Sequence, residues 1–144
     1  MTVLGAVTLV GLIAAAALVV VYLRLRQKDV LDGLVTKYRA SAALVSRASY
    51  VEGAENLPVV IALSDKSFFY ENADLEASFD LDRLDEIEYD DDLTTGRAHS
   101  AGCRVLRLRS HGAAFEFLLD KNDCSKWASA LPPRSYGRTT AQAV

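Results

Sequence analysis

The first 23 residues contain no Lys, Arg, His, Asp or Glu. A secretory signal peptide opens with a basic segment before an apolar core of about 7–15 residues. Here that basic segment is missing, and the apolar run continues past the small residues Ala14–Ala17 through Leu18-Val-Val-Val-Tyr22. Cysteine is scarce as well. Cys103 and Cys124 are the only two, with no CxxC spacing and no neighbouring histidine, so no zinc site is expected. There is no N-x-Ser/Thr sequon, no lipobox-type cysteine near the N-terminus and no C-terminal prenylation box. The two histidines, His99 and His111, lie in a loop and a turn with no spacing that sets either beside a nucleophile as a catalytic pair, which leaves an enzyme without a legible catalytic set. Two glycines fall in Gly96-Arg-Ala-His-Ser-Ala-Gly102, but no Lys-Ser/Thr follows, so this is not a phosphate loop. No cofactor is implied.

What is present is an apolar stretch over residues 3–23, interrupted only by Thr8 and two glycines. A bilayer core takes about 20 apolar residues as a helix. Residues 1–23 are therefore predicted to be a transmembrane anchor. Arg24, Arg26 and Lys28 follow directly, and Tyr22 stands at the interfacial position. Short Lys/Arg-rich flanks stay cytoplasmic. The expected topology is a cell-membrane protein of single span, N-terminus outside, with residues 24–144 in the cytoplasm, where both cysteines stay reduced. Gly11 and Ala15 match the small-xxx-small spacing of helix packing faces, which admits a homodimer through the span.

Charge is unevenly distributed. Residues 24–47 hold six basic and two acidic side chains, net +4, and residues 48–131 hold eight basic and seventeen acidic, net −9. A domain this acidic is repelled by nucleic acid and by anionic headgroups. Membrane contact is thus assigned to Tyr22, Arg24, Arg26 and Lys28.

Residues 24–47 read as a juxtamembrane helical stalk. Leu31, Leu34, Val35, Tyr38, Ala42 and Val45 recur at three- and four-residue spacing on one face. A short coiled-coil seam is the competing reading of that stripe. From residue 48 the period changes to two. Strands are expected over 48–54, 58–63, 68–71, 75–80, 85–90, 103–109 and 113–119, with turns at Ser64-Asp-Lys-Ser67, Glu71-Asn-Ala-Asp74 and Ser110-His-Gly112. A final helix, capped by Asp120 or Asn122, places Cys124, Trp127, Ala128 and Leu131 on one face and stops at Pro132-Pro133. Residues 132–144 lack periodicity and are expected to be disordered.

Eight acids fall between Asp80 and Asp92. The run lacks the central Gly of an EF-hand loop, and Leu81, Leu84, Ile87 and Tyr89 interrupt it. The alternation puts the acids on a solvated face, with Asp82, Asp85, Glu86, Glu88, Asp90, Asp91 and Asp92 as a candidate docking surface for a protein partner. The loop over residues 93–102, read as flexible, is a further contact candidate.

Seven antiparallel strands followed by one Trp-bearing helix resembles the order of pleckstrin-homology-like (PH-like) domains. Val59-Val-Ile-Ala-Leu-Ser-Asp-Lys-Ser-Phe-Phe-Tyr70 is similar to the second and third strands of bacterial PH-like and GRAM-like domains, and Phe79-Asp-Leu-Asp-Arg-Leu-Asp-Glu-Ile-Glu-Tyr89 to their next unit. The resemblance covers residues 48–131. It implies a seven-stranded barrel with the last helix plugging one end and Trp127 as the plug. Phosphoinositide-binding members carry Lys/Arg around the first strand–loop–second strand. Here Glu52 and Glu55 stand in that place, with only Lys66 near. The implied role is a non-catalytic adaptor docking a protein at the membrane. Lipid sensing and an enzyme of unknown type are the alternatives.

Overall fold

The computed structural model describes residues 3–135. Helix α1 (Val3–Arg39) runs 37 residues, about 55 Å at 1.5 Å per residue. Then come β1 (Leu44–Glu52), β2 (Glu55–Leu63), β3 (Ser67–Glu71), β4 (Glu76–Asp80), a 3₁₀ turn (Leu81–Arg83), β5 (Glu86–Asp90), β6 (Cys103–Ser110) and β7 (Ala113–Asp120). Helix α2 (Lys121–Ala130) and β8 (Arg134–Ser135) close the order. The strands form one curled antiparallel sheet, ordered β4-β3-β2-β1-β7-β6-β5-β8. Its edges, β4 and β8, do not pair, so the barrel stays open.

Three expectations are corrected here. The stalk helix ends at Arg39 rather than at residue 47, and residues 44–47 belong to β1. Ala42 and Val45 do pack with Leu31, Leu34 and Val35, as their spacing suggested, but they reach that helix face from the sheet side. The Ala42 N–H caps the helix on the Tyr38 carbonyl, and the Ala43 N–H already bonds Leu63 of β2. The strand count is eight, not seven. The eighth lies in the segment expected to be disordered: Ile87 and Glu86 pair with Arg134 and Ser135. A two-residue strand after Pro132-Pro133 carries no periodicity to read. Residues 136–144, the rest of that segment, lie outside the described residues.

β2 explains why its sequence is apolar without alternation. Val59, Ile61 and Leu63 face the barrel interior, while Val60 and Ala62 face α1, and all five are buried. A strand covered on both faces has no polar side to show. Inside the sheet, Phe68, Phe117 and Trp127 are fully buried, with ring centroids 5.3 Å (Phe68–Phe117) and 5.7 Å (Phe68–Trp127) apart. Phe79 and Phe115 are only half-buried, at 4.7 Å from each other. Asp120 caps α2 by accepting the Asn122 N–H. That start directs Cys124, Trp127 and Leu131 into the core, where the Trp127 indole donates to Ser46 Oγ at 2.9 Å.

The β6–β7 turn fixes the register of the second half. His111 (φ 50°) and Gly112 (φ 80°) both lie in the left-handed region, as a type I′ hairpin requires. Histidine tolerates this better than branched residues do. His111→Val is therefore expected to cost about 1–2 kcal/mol, read as a lower urea midpoint, while His111→Asn should be near neutral.

Candidate functional site

α1 is long and apolar enough to cross a membrane, and none of its most apolar stretch is covered by the rest of the chain. Val3, Leu12, Leu18 and Tyr22 are 63–83 % exposed, a contiguous apolar surface of the kind that marks a membrane or protein contact. Arg24, Arg26 and Lys28 are exposed on the turns that follow. One helix thus joins the apolar half to the domain without a break. Its last turns bury Leu31 and Tyr38 against β2 and β3. Polar contacts fasten the joint: Tyr38 Oη and Lys37 Nζ both donate to Glu71, and Arg47 pairs with Asp32. Burial, then the Glu71 carboxylate, pushes the Tyr38 hydroxyl well above its ordinary pKa, so it stays a donor at neutral pH.

The acidic stretch is less free than its sequence suggests. The I′ turn pairs Ser110 with Ala113 and so places Arg107 opposite Glu116, while β5 brings Glu88 to the other side of Arg107. The result is a carboxylate–guanidinium–carboxylate row across three strands. Arg107 Nη1 lies 2.8 Å from Glu88 and 3.3 Å from Asp90, and Nη2 lies 3.1 Å from Glu116 and 2.9 Å from the Asp92 carbonyl. The Arg107 side chain is only 5 % exposed. Burial disfavours its charge, but the hydrogen bonds to Glu88, Glu116 and Asp90 outweigh that and leave its pKa raised. Asp91 pairs with Arg104, Glu86 with Arg109, and Asp85 accepts the His111 N–H. Of the seven candidate docking residues, Asp82, Asp85, Asp91 and Asp92 remain exposed, and Glu86, Glu88 and Asp90 are half-buried.

The loop after β5 is not the loose connection expected from its length. It is pinned across the outer face of the sheet. Leu93 buries against Val105 and Leu118, and the Thr94 N–H donates to Glu116. Arg97 reaches the Ala54 carbonyl and Asn56 of the β1–β2 hairpin. The His99 ring bonds the carbonyls of Asp91 and Ser100. This cover is why Arg107 and Glu116, polar residues at outward positions, are buried. Sequence reading missed both. The turn at His111-Gly112 was the available signal, since it sets the 107–116 pairing.

The Asp90 carboxyl is held below its usual range by the N–H groups of Asp92 and Asp91 and then by Arg107. A lowered carboxylate pKa adds stability that is complete above the ordinary carboxylate pKa and is lost progressively as pH falls from that value through the lowered one. Intrinsic-rate-corrected hydrogen exchange of residues 91–97 is expected to be flat from about pH 7 to about pH 5 and to rise only below about pH 4.

Two further features complete the surface. A cleft of about 470 Å³ runs along the open seam between β4 and the β6–β7 hairpin, lined by Phe79, Arg83, His111 and Phe115 among others. A second crevice, of about 450 Å³, lies between α1 and the β3–β4 turn. Both cysteines are free thiols, and burial raises the pKa of Cys124. Among the described residues, no group of three or more His, Cys, Asp or Glu is placed to hold a metal. No protein family, curated protein or solved structure matches this chain.

Proposed function

We propose that this protein is a membrane-tethered, non-catalytic adaptor whose PH-like domain docks a protein partner at the cytoplasmic face of the membrane. The observation that carries the reading is α1: one continuous helix, uncovered and apolar over its first half, rigidly packed on the sheet over its last turns. The strand order β4-β3-β2-β1-β7-β6-β5, all antiparallel, with α2 set over one end, is what a PH-like domain calls for. The interior supports a binding role played on the outside, because Phe68, Phe117, Trp127 and their neighbours fill it. The tyrosines there stay uncharged: burial and the nearby Tyr50 push Tyr70 up to about 12. Orientation rests on the basic collar of Arg24, Arg26 and Lys28.

Two surfaces serve docking in this proposal. One is the β4 edge, which among the described residues has no strand on its outer side and lies beside the Phe79–Phe115 cleft; an added strand is a common mode of peptide capture. The other is the exposed remainder of the acidic stretch, Asp82, Asp85, Asp91 and Asp92.

A photo-crosslinking residue placed at Ser78 or Asp82 of the full chain, in its native membrane, tests this. Protein adducts of one discrete mass from these positions, absent with the probe at Lys126 on the far helix, are expected. Adducts to lipid alone, or equal capture from all three, would overturn the adaptor reading.

A further inference from the structure

The stripe on α1 that packs against the sheet does not stop where the sheet does. Leu31, Leu34, Val35 and Tyr38 bury against β2 and β3. At the same helical spacing, Val20, Leu23, Arg24 and Gln27 continue the stripe towards the N-terminus. There helix and domain part, leaving the 450 Å³ crevice with Asn72, Ala73 and Asp74 as its far wall. That wall is fixed. The Asn72 N–H bonds the Leu75 carbonyl at 2.8 Å, its Oδ1 accepts the Asp74 N–H at 2.9 Å, and its Nδ2 donates to the Pro58 carbonyl at 3.2 Å.

The two ends of the crevice differ in chemistry. Val20 and Leu23 are apolar and belong to the stretch that crosses the bilayer. Arg24 and Arg26 follow at once. If residues 3–23 fill a hydrocarbon core about 30 Å thick, these guanidiniums stand at the depth of the lipid phosphates. Among the described residues neither guanidinium has a hydrogen-bond or ion-pair partner, and neither does the Asp74 carboxylate.

We propose that this crevice holds the headgroup of one phospholipid that carries a primary ammonium, as phosphatidylethanolamine does. Arg24 and Arg26 take the phosphate, for which the guanidinium fork is suited. Asp74 takes the ammonium. Val20 and Leu23 meet the first acyl carbons. Asp74 is what makes the site selective: on the wall opposite two arginines, a carboxylate repels a headgroup with phosphate alone and matches one with phosphate and cation together. A lipid seated there also sets the tilt of the domain, because it bridges the helix to the β3–β4 turn. The inference rests on the proposed span.

The test uses the full-length chain, delipidated in mild detergent, with phosphatidylethanolamine, phosphatidylglycerol and phosphatidylcholine added at equal concentration and bound lipid read by native mass spectrometry. A charged hydrogen bond supports at least a roughly tenfold preference. The wild-type chain is expected to retain one phosphatidylethanolamine over the other two by about that factor. Arg24→Gln/Arg26→Gln should lose all three lipids to the same background. Asp74→Asn should keep phosphate binding and bind phosphatidylethanolamine and phosphatidylglycerol equally. Preference for phosphatidylglycerol in the wild type, or unchanged retention in the double variant, would overturn the site. Near-UV circular dichroism of each variant checks that the domain is folded. Carbonate washing of membranes carrying the same chains separates the two readings. A chain released by carbonate refutes the span itself, whereas a chain that stays integral yet retains no lipid refutes the crevice alone.

Discussion

Trp127→Ala is expected to cost about 3–5 kcal/mol, the usual range for truncating a large buried aromatic. The indole is completely buried, stacks edge-on to Phe68 and donates to Ser46. Alanine leaves a cavity where α2 meets the sheet and an unsatisfied Ser46 hydroxyl in the core. Small domains hold only about 5–15 kcal/mol in total, so the loss removes a large share of the fold. Urea titration of the full chain in nanodiscs, followed by near-UV circular dichroism, should show the midpoint collapse. Trp127→Phe keeps most of the volume and should lose much less. An unchanged midpoint for the alanine variant would mean that α2 is not seated in the barrel end.

Arg107→Ala has the second largest expected effect, again about 3–5 kcal/mol, because it strands buried charge. Glu116, itself buried, loses its cation, and Glu88 and Asp90 are left facing it. The consequence is also local. Arg107 holds the Asp92 carbonyl, and Glu116 holds the Thr94 N–H, so these two ties at the start of the loop loosen together. Hydrogen exchange across residues 91–97 should accelerate far more than that of β2. Replacing Arg107 and Glu116 together with Met and Leu should recover much of the stability, since an apolar pair of similar volume removes the stranded charge. A wild-type midpoint for Arg107→Ala would show the row to be a surface feature.

The contrast between these residues shows what sequence alone makes legible. Trp127 could be read as buried because Cys124, Ala128 and Leu131 complete a helical face with it; its role as a plug was implied only by the resemblance to PH-like domains. The strand over 75–80 was legible because Leu75, Ala77 and Phe79 alternate with exposed Glu76, Ser78 and Asp80. The end of α1 was not, because Ala42 in the turn and Val45 in β1 keep a helical spacing while packing on the helix from outside it. Arg107 and Glu116 looked solvated because they alternate with Leu106, Leu108, Phe115 and Phe117. Only the loop folded over them makes them interior, and that contact is not encoded in any local period. The acidic stretch illustrates the same limit. Its composition suggested one open surface, yet Glu88 and Asp90 turn inward to Arg107 while Asp82 does not.

The anchor is the part of the account on which everything else depends. α1 is long and apolar enough to span a bilayer, and in the proposed account the bilayer covers the exposed apolar residues from Val3 to Leu25. An acidic domain is pushed away from an anionic surface, so in this proposal the covalent span is what holds it there. The most direct test fuses a reporter active only in the cytoplasm after Val144 and measures its activity in carbonate-washed membranes. The account predicts that nearly all activity remains in the washed pellet. Activity released into the supernatant, or a silent fusion beside an active export-only reporter at the same position, would contradict it.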